Sequence, residues 1–135
     1  MTDEELVYRA KGARARAYAP YSNFVVGVAL LADGEVFDAA NVENASYGLS
    51  MCAERNAVMR AILEGAHHLQ VVAVCSSTSP PAAPCGMCLQ TLREFTKDPG
   101  SLRILLCNEK GEQAEHTLAT LLPHGFKPED LPRRA

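Results

Sequence analysis

The chain has 135 residues, of which 47% are hydrophobic and 21% charged, and its formal net charge is −3 at pH 7. This length and composition are typical of a globular protein, and we expect one domain over residues 1–135. The small negative charge and the lack of a dense Lys/Arg stripe argue against a nucleic-acid partner.

The N-terminal sequence shows no sign of a targeting segment. It reads MTDEELVYRA and is acidic from the third residue, whereas a secretory signal starts with basic residues before an apolar stretch. The longest apolar run, FVVGVALLA, is too short to cross a membrane. Five cysteines without a framework spacing are most simply explained by a reducing compartment. We therefore expect a cytoplasmic protein with no membrane partner.

The first elements along the chain are a helix and a hairpin. Thr2 and Glu5 form a capping-box pattern, which predicts a helix over residues 3–18. Asp33 and Gly34 separate two apolar runs, and this dipeptide is the strongest short-range signal for a β-hairpin.

The rest of the chain alternates between helices and strands. The residues from CAERN onward predict a helix over 52–65, and LQVVAVCSS predicts a buried strand over 69–77. A helix over 84–95, with proline in its first turn, precedes a strand over 101–111 and a short helix over 116–123. This order predicts an α/β sandwich in which helices cover both faces of a mixed sheet.

The cysteines fall into two groups. Cys85 and Cys88 have a spacing that occurs in redox dithiols, in zinc knuckles and in catalytic zinc sites, so the pair alone leaves all three possibilities open. Cys52 also begins a predicted helix, and two helix N-termini can bring three thiols together where the helix dipole favours thiolate. Cys75 and Cys107 lie within apolar strands, and we interpret them as buried, inert thiols.

Three thiols and a nearby carboxylate indicate a catalytic metal site. Three protein ligands leave one open position on a tetrahedral zinc ion, and a carboxylate that is not a ligand can move protons beside it. We therefore interpret Cys52, Cys85 and Cys88 as the ligands of one Zn²⁺ per chain, and Glu54 as the general acid/base. The alternatives are a knuckle whose fourth ligand is unseen and a dithiol, which would leave the CAE motif unexplained.

Five motifs in order resemble the small, homotetrameric class of zinc-dependent cytidine deaminases: YAPYSNFVVGVAL, NVENASYG, MCAER, PCGMC and LLPHGF. The resemblance covers nearly the whole chain and implies a three-layer α/β/α sandwich with a mixed five-stranded sheet. It implies the hydrolysis of cytidine and 2′-deoxycytidine to uridine and deoxyuridine with release of ammonia, a reaction of pyrimidine salvage. Glu54 would carry a proton to ring N3 and then to the departing amine.

The resemblance also implies roles for residues that bind the substrate. Phe24 resembles the residue that packs on the pyrimidine ring, and Asn41 and Glu43 resemble the pair that binds the ribose hydroxyls. Because Glu43 would repel a phosphate, we expect a free nucleoside as the substrate. A homotetramer with shared sites is implied by the residues that resemble those lent to a neighbouring subunit: Ala45, Tyr47 and Phe126.

One arginine is expected to balance the charge of the metal centre. Three thiolates around Zn²⁺ leave one net negative charge, which would hold the proton of a bound water too tightly without compensation. Arg55 resembles the family's arginine that donates to a ligand sulfur. Many relatives carry a second arginine directly after PCGMC, whereas this chain has Leu89. This difference leaves more of the compensation to Arg55 and the helix dipoles.

Two other functions fit parts of the pattern. An aminohydrolase on the same scaffold could act on a cytosine-containing antibiotic such as blasticidin, although the NVENAS motif favours a ribose. A non-enzymatic zinc module would bind the metal without turnover. We interpret the remaining histidines and several arginines as surface, loop or solvated residues: His67, His68, His116, His124, Arg60, Arg93, Arg133 and Arg134.

Overall fold

The computed structural model describes residues 1–132, so the predicted solvated charges Arg133 and Arg134 lie outside the described range. Residues 1–132 form four helices and five strands. The helices are α1 (Asp3–Ala13), α2 (Ala53–Leu63), α3 (Gly86–Glu94) and α4 (Leu118–Leu121). The strands are β1 (Gly27–Ala32), β2 (Glu35–Ala40), β3 (Leu69–Ser76), β4 (Arg103–Asn108) and β5 (Gln113–Thr117). Over the same residues, no helix has both the length and the apolar character needed to span a bilayer.

The five strands form one mixed sheet in the order β2-β1-β3-β4-β5. The β3–β4 pair is parallel and the other pairs are antiparallel. The predicted hairpin is confirmed: Ala32 pairs with Glu35, and the turn between them places Asp33 at φ 50° and Gly34 at φ 80°. Both turn residues are therefore left-handed, as a two-residue hairpin turn requires.

Helices cover both faces of the sheet, which confirms the three-layer α/β/α sandwich. Successive side chains of a strand point to opposite faces, so β3 serves two cores. On one face, Val71, Ala73 and Cys75 pack with the buried side of α1. On the other face, Val72 and Val74 pack with the buried residues of α2 and α3. Cys107 is Cys75's neighbour on β4, and both thiols are buried, as predicted.

Each of the four predicted helices is longer than the observed one, by three to five residues in total, and the ends of α1 and α3 show why. α1 ends at Ala13 and continues only as a single 3₁₀ turn, because Tyr18 leaves the helical path and donates its backbone N–H to the carbonyl of Asn41. Tertiary pairing thus overrides local helix propensity. α3 begins at Gly86 with Cys85 as its N-cap, so Pro84 precedes the helix instead of lying in its first turn.

Polar residues account for two features that the sequence pattern did not predict. β5 reads QAEHT and lies at the sheet edge, where an apolar run is not needed, so only the family resemblance implied a fifth strand. Arg93 was predicted to be solvated, which is wrong: it is 8% exposed, and its Nη1 donates to the carbonyl of Thr96 at 2.6 Å. Among the histidines, His67, His68 and His124 are exposed and His116 is half-buried.

β2 forms the other edge of the sheet, and two of its carbonyl groups accept hydrogen bonds from side chains of α2. Arg60 is exposed, as predicted, and its Nη1 donates to the Asp38 carbonyl at 2.9 Å. Asn56 Nδ2 donates to the Ala40 carbonyl at 2.9 Å. These two hydrogen bonds hold α2, which begins directly after Cys52, against the edge of the sheet.

Gly27→Ala is expected to destabilise the fold by about 3 kcal/mol or more, because α1 crosses β1 at this glycine without space for a side chain. An added Cβ would overlap the Ala10 carbonyl oxygen and lie 2.6 Å from the Arg14 backbone nitrogen. Urea unfolding measures the effect. Gly12→Ala on α1 is the matched control, since nothing lies within 4 Å of its added Cβ. Equal stability of the two variants would contradict this packing.

Candidate active site

Three cysteines converge where α2 and α3 begin. Cys52 is the N-cap of α2, Cys85 is the N-cap of α3, and Cys88 lies in the first turn of α3. Their sulfur atoms lie within 4.8 Å of one another, and Cys85 Sγ is 3.4 Å from Cys88 Sγ. The two helix N-termini therefore direct three thiols, and the positive ends of two dipoles, at one point.

The thiol cluster fits one zinc ion. Ligand sulfurs on a tetrahedral zinc lie about 3.8 Å apart for Zn–S distances of about 2.3 Å, close to the separations in this cluster. Within residues 1–132, no further His, Cys, Asp or Glu ligand atom joins the three sulfurs. The set therefore leaves one position open, which is the arrangement of a catalytic site and not of a closed zinc knuckle.

The surroundings of the cluster favour the thiolate form of Cys52. A hydrogen bond from Cys88, assisted by Arg55, lowers the pKa of Cys52 to about 5. The same Cys52–Cys88 contact, together with burial, raises the pKa of Cys88 above its ordinary value. Arg55 Nη2 donates to Cys52 Sγ at 3.5 Å, so a guanidinium lies directly against the thiolate.

Position 89 contributes no charge to this centre. Leu89 is 7% exposed and packs in the core between the sheet and the helices. Its side chain therefore faces away from solvent and supplies no cation. The positive charge beside the sulfurs comes from Arg55, whose Nη2 contacts Cys52 Sγ, and from the N-terminal ends of the two helices.

Glu54 lies beside the thiols in the first turn of α2. It is 6% exposed, and its burial, followed by the negative charge of Cys52, raises its pKa to about 7. A carboxyl group with a pKa near neutrality can both accept and donate a proton at physiological pH.

A cavity of about 300 Å³ opens over the cluster and Glu54. This volume lies at the lower end of the range for small-molecule sites, about 300–1,000 Å³. Ala82 and Ala83, in the loop that leads to Cys85, form part of its wall, and the sequence reasoning missed them. Predicted site residues that line the same cavity are Phe24, Asn41, Glu43, Cys52, Glu54 and Cys85.

Asn41 lies in the cavity wall and is hydrogen-bonded to the segment that precedes β1. Its Oδ1 accepts a hydrogen bond from the Val26 backbone at 2.8 Å, and its Nδ2 donates to the Phe24 carbonyl at 2.8 Å. An amide nitrogen carries two protons, so one N–H remains for a ligand. Asn41 therefore fixes the backbone of Phe24 and still presents a donor.

Glu43 is held by the loop that precedes Phe24. Its Oε1 accepts from the backbone N–H groups of Tyr21 and Ser22 at 3.0 and 3.1 Å, and its Oε2 accepts from the Ser22 hydroxyl. The Ser22 hydroxyl bond and these backbone bonds lower the pKa of Glu43, so its carboxylate is anionic at neutral pH. Sequence reasoning missed Ser22, whose hydroxyl also accepts from the Phe24 backbone at 3.0 Å.

The residues expected to serve a neighbouring subunit do not line the cavity of their own chain. Ala45 is exposed, Tyr47 is 75% exposed, and Phe126 is 54% exposed in the C-terminal segment. The Tyr47 ring touches the edge of Tyr21, with ring centroids 6.2 Å apart. These side chains face outward in the single chain.

Comparison with known proteins assigns the family. Residues 1–99 match the family described as the cytidine and deoxycytidylate deaminase zinc-binding region. The chain belongs to this deaminase family. The thiol cluster and the family's zinc-binding character together give one zinc ion per chain.

Individual deaminases are similar over nearly the full chain. The cytidine deaminase of Sporosarcina psychrophila is 44% identical over 132 residues, which cover 97% of this chain and 96% of that protein. A crystal structure of cytidine deaminase from Burkholderia pseudomallei has a TM-score of 0.88 and 46% identity, covering 93% and 100% of the two chains. The crystal structure of the Mycobacterium tuberculosis cytidine deaminase has a TM-score of 0.78 at 37% identity, covering 93% and 98%.

Proposed function

We propose that this chain hydrolyses cytidine and 2′-deoxycytidine to uridine and deoxyuridine with release of ammonia. One observation carries the proposal: a single cavity joins the three-thiol cluster, the buried carboxyl group of Glu54 and the amide–carboxylate pair of Asn41 and Glu43. The family and the similar cytidine deaminases support the same reaction.

The reaction needs a nucleophile and a group that moves protons. Cys52, Cys85 and Cys88 would hold the zinc ion, which would supply a Lewis acid able to lower the pKa of a water molecule. Glu54 takes a proton from that water and delivers it to ring N3, which makes C4 electrophilic. After the water oxygen adds to C4, Glu54 transfers the second proton to the amino group, and the C4–N bond breaks to release ammonia.

The other predicted residues orient the nucleoside and balance charge. Phe24 packs on the pyrimidine ring, the free N–H of Asn41 donates to a ribose hydroxyl, and Glu43 accepts from a ribose hydroxyl. Arg55 offsets the excess negative charge of three thiolates by its hydrogen bond to Cys52.

A comparison of substrates tests both the reaction and the role of Glu43. Cytidine is expected to lose its amino group, seen as a fall in ultraviolet absorbance, whereas kcat/KM for CMP should be at least about 10²-fold lower because two anions repel each other. Glu43→Gln is the matched variant, and it should reduce the ratio of kcat/KM for cytidine to kcat/KM for CMP. Equal rates with CMP would contradict the nucleoside assignment.

The same assay separates the two alternative functions. Preferential turnover of blasticidin would favour an antibiotic aminohydrolase, and bound zinc without turnover of any of these compounds would favour a zinc module.

The active sites are proposed to be shared within a homotetramer. Ala45, Tyr47 and Phe126 are exposed in the single chain, so their side chains are available to contact another subunit. In this arrangement Phe126 completes the pocket of a neighbouring subunit, while the thiol cluster and Glu54 come from one chain.

Mixing two impaired variants tests the shared site. Glu54→Gln and Phe126→Ala should each be poorly active alone, but subunit exchange places an intact Glu54 beside a neighbour's intact Phe126. In random one-to-one tetramers, about a quarter of the sites meet both conditions, so activity should recover to about a quarter of wild type. Size-exclusion chromatography and mass spectrometry verify the exchange. Proven exchange without recovery would contradict the shared site.

The proposal extends to the setting of the reaction. Residues 1–135 act as one catalytic domain, and the product uridine suits a salvage role in the cytoplasm. No disulfide joins the five cysteines, all of which lie within residues 1–132, and this is consistent with a reducing compartment.

A further inference from the structure

Gln90 holds the main chain of Phe126 by two hydrogen bonds. Its Nε2 donates to the Phe126 carbonyl at 2.6 Å, and the Phe126 N–H donates to its Oε1 at 3.1 Å. Gln90 is half-buried on α3, two residues after Cys88. One side-chain amide thus satisfies both polar groups of a single residue, as a partner strand would.

Few other contacts restrain this part of the C-terminal segment. Residues 123–126 lie between α4 and the 3₁₀ turn Pro128–Asp130. In the described part of the chain, Gln90 makes all the hydrogen bonds recorded for the main chain of these four residues. Close packing at Gly125 adds a second restraint, since an added Cβ would lie 2.8 Å from Leu122 Cγ.

The direction of the Phe126 ring depends on the two hydrogen bonds between Gln90 and the Phe126 main chain. Phe126 is 54% exposed, so its own chain does not enclose its side chain, and packing restrains it less than it would a core residue. The conformation of its main chain therefore determines where the ring projects. Loss of the Gln90 hydrogen bonds would leave packing at Gly125 as the remaining restraint and would let the Phe126 side chain adopt more orientations.

We propose that Gln90 is a positioning residue that aims Phe126 into the nucleoside pocket of a neighbouring subunit. This inference rests on the shared site proposed above. α3 then serves two sites: Cys88 contributes to the zinc centre of its own chain, and Gln90 orients an aromatic wall of the next. The role concerns substrate binding, because Phe126 reaches the nucleoside and not the proton-transfer group.

Gln90→Ala is expected to raise KM for cytidine about tenfold, with kcat within about twofold and zinc content unchanged, the size expected for lost hydrogen bonds. Gln90→Met, which keeps the length but has no amide, should give the same result. Thr91→Ala is the matched control on α3, since within residues 1–132 its hydroxyl bonds only to the Met87 carbonyl of the same helix. An unchanged KM, or a loss of zinc from both Gln90 variants, would overturn the proposal.

Subunit mixing shows whether Gln90 acts on its own site or on a neighbour's. Mixed with Glu54→Gln, Gln90→Ala should regain a wild-type KM at sites whose neighbour carries an intact Gln90. A raised KM that persists, while Phe126→Ala is rescued in the parallel mixture, would refute Gln90's action on the neighbour and leave the shared site standing. Failure of Phe126→Ala to recover would instead refute the shared site, and the Gln90 proposal with it.

Discussion

Glu54→Gln is expected to lower kcat for cytidine by at least about 10²-fold while zinc content and the unfolding transition stay close to wild type. The amide keeps the size of the side chain but cannot take a proton from water and return it to the amino group. Its position in a buried wall of the cavity leaves few other groups to replace it. Steady-state absorbance assays and elemental analysis on the same preparation measure both quantities.

The matched control for this variant is Glu64→Gln. Glu64 is an exposed carboxylate at the opposite end of the same helix, so the control makes the same chemical change away from the cavity. It should retain wild-type kcat. A zinc-loaded Glu54→Gln protein with near-normal turnover would show that another group moves the protons.

Cys88→Ala is expected to reduce bound zinc from about one per chain to nearly none after dialysis against a chelator, and to abolish turnover. Two remaining thiols cannot hold a tetrahedral ion with the affinity of three, and Cys88 is the buried member of the set. Elemental analysis measures the loss directly, and circular dichroism shows whether the fold persists.

Cys107→Ala is the control for removal of a buried thiol. Cys107 lies in β4 on the far face of the sheet, within the core under α1. It should keep its zinc and most of its activity, with only a small loss of stability. Stoichiometric zinc in the Cys88→Ala protein, or stoichiometric iron in the active wild type, would contradict the assignment of the metal centre.

Short sequence patterns predicted the hairpin turn and the helix starts, because a few neighbouring residues determine each of these features. Asp33 and Gly34 define a turn by their own backbone preferences, and local sequence marks the helix starts that carry Cys52, Cys85 and Cys88, whereas the packing of α2 and α3 brings those starts together. The polar clamps were not predictable in this way. The Gln90 bonds to Phe126 join residues 36 apart, and only the folded chain shows that they meet. Ordinary polar residues gain a specific role from tertiary placement, with no local signature.

The same limit explains the misplaced features around them. Arg93 has the composition of a surface residue, yet the turn after α3 folds the Thr96 carbonyl over its guanidinium. β5 carries no apolar period because none of its five residues is fully buried at the edge of the sheet. Tertiary contacts with distant parts of the chain determine whether a charged residue is buried and whether a polar segment forms a strand.

The outer strands of the sheet restrict how copies of this chain can associate. On β2, the carbonyl groups of Asp38 and Ala40 already accept hydrogen bonds from α2, so an incoming strand would have to displace those side chains. On β5, Glu115 is tied to Arg103 at 2.9 Å and adds charge along the margin. Sheet edges that are blocked or charged in this way disfavour edge-to-edge pairing of strands from different copies. The shared site proposed above would use loops and exposed aromatic side chains for contact between subunits, and assembly of this kind would complete a site without pairing the edges of the sheet.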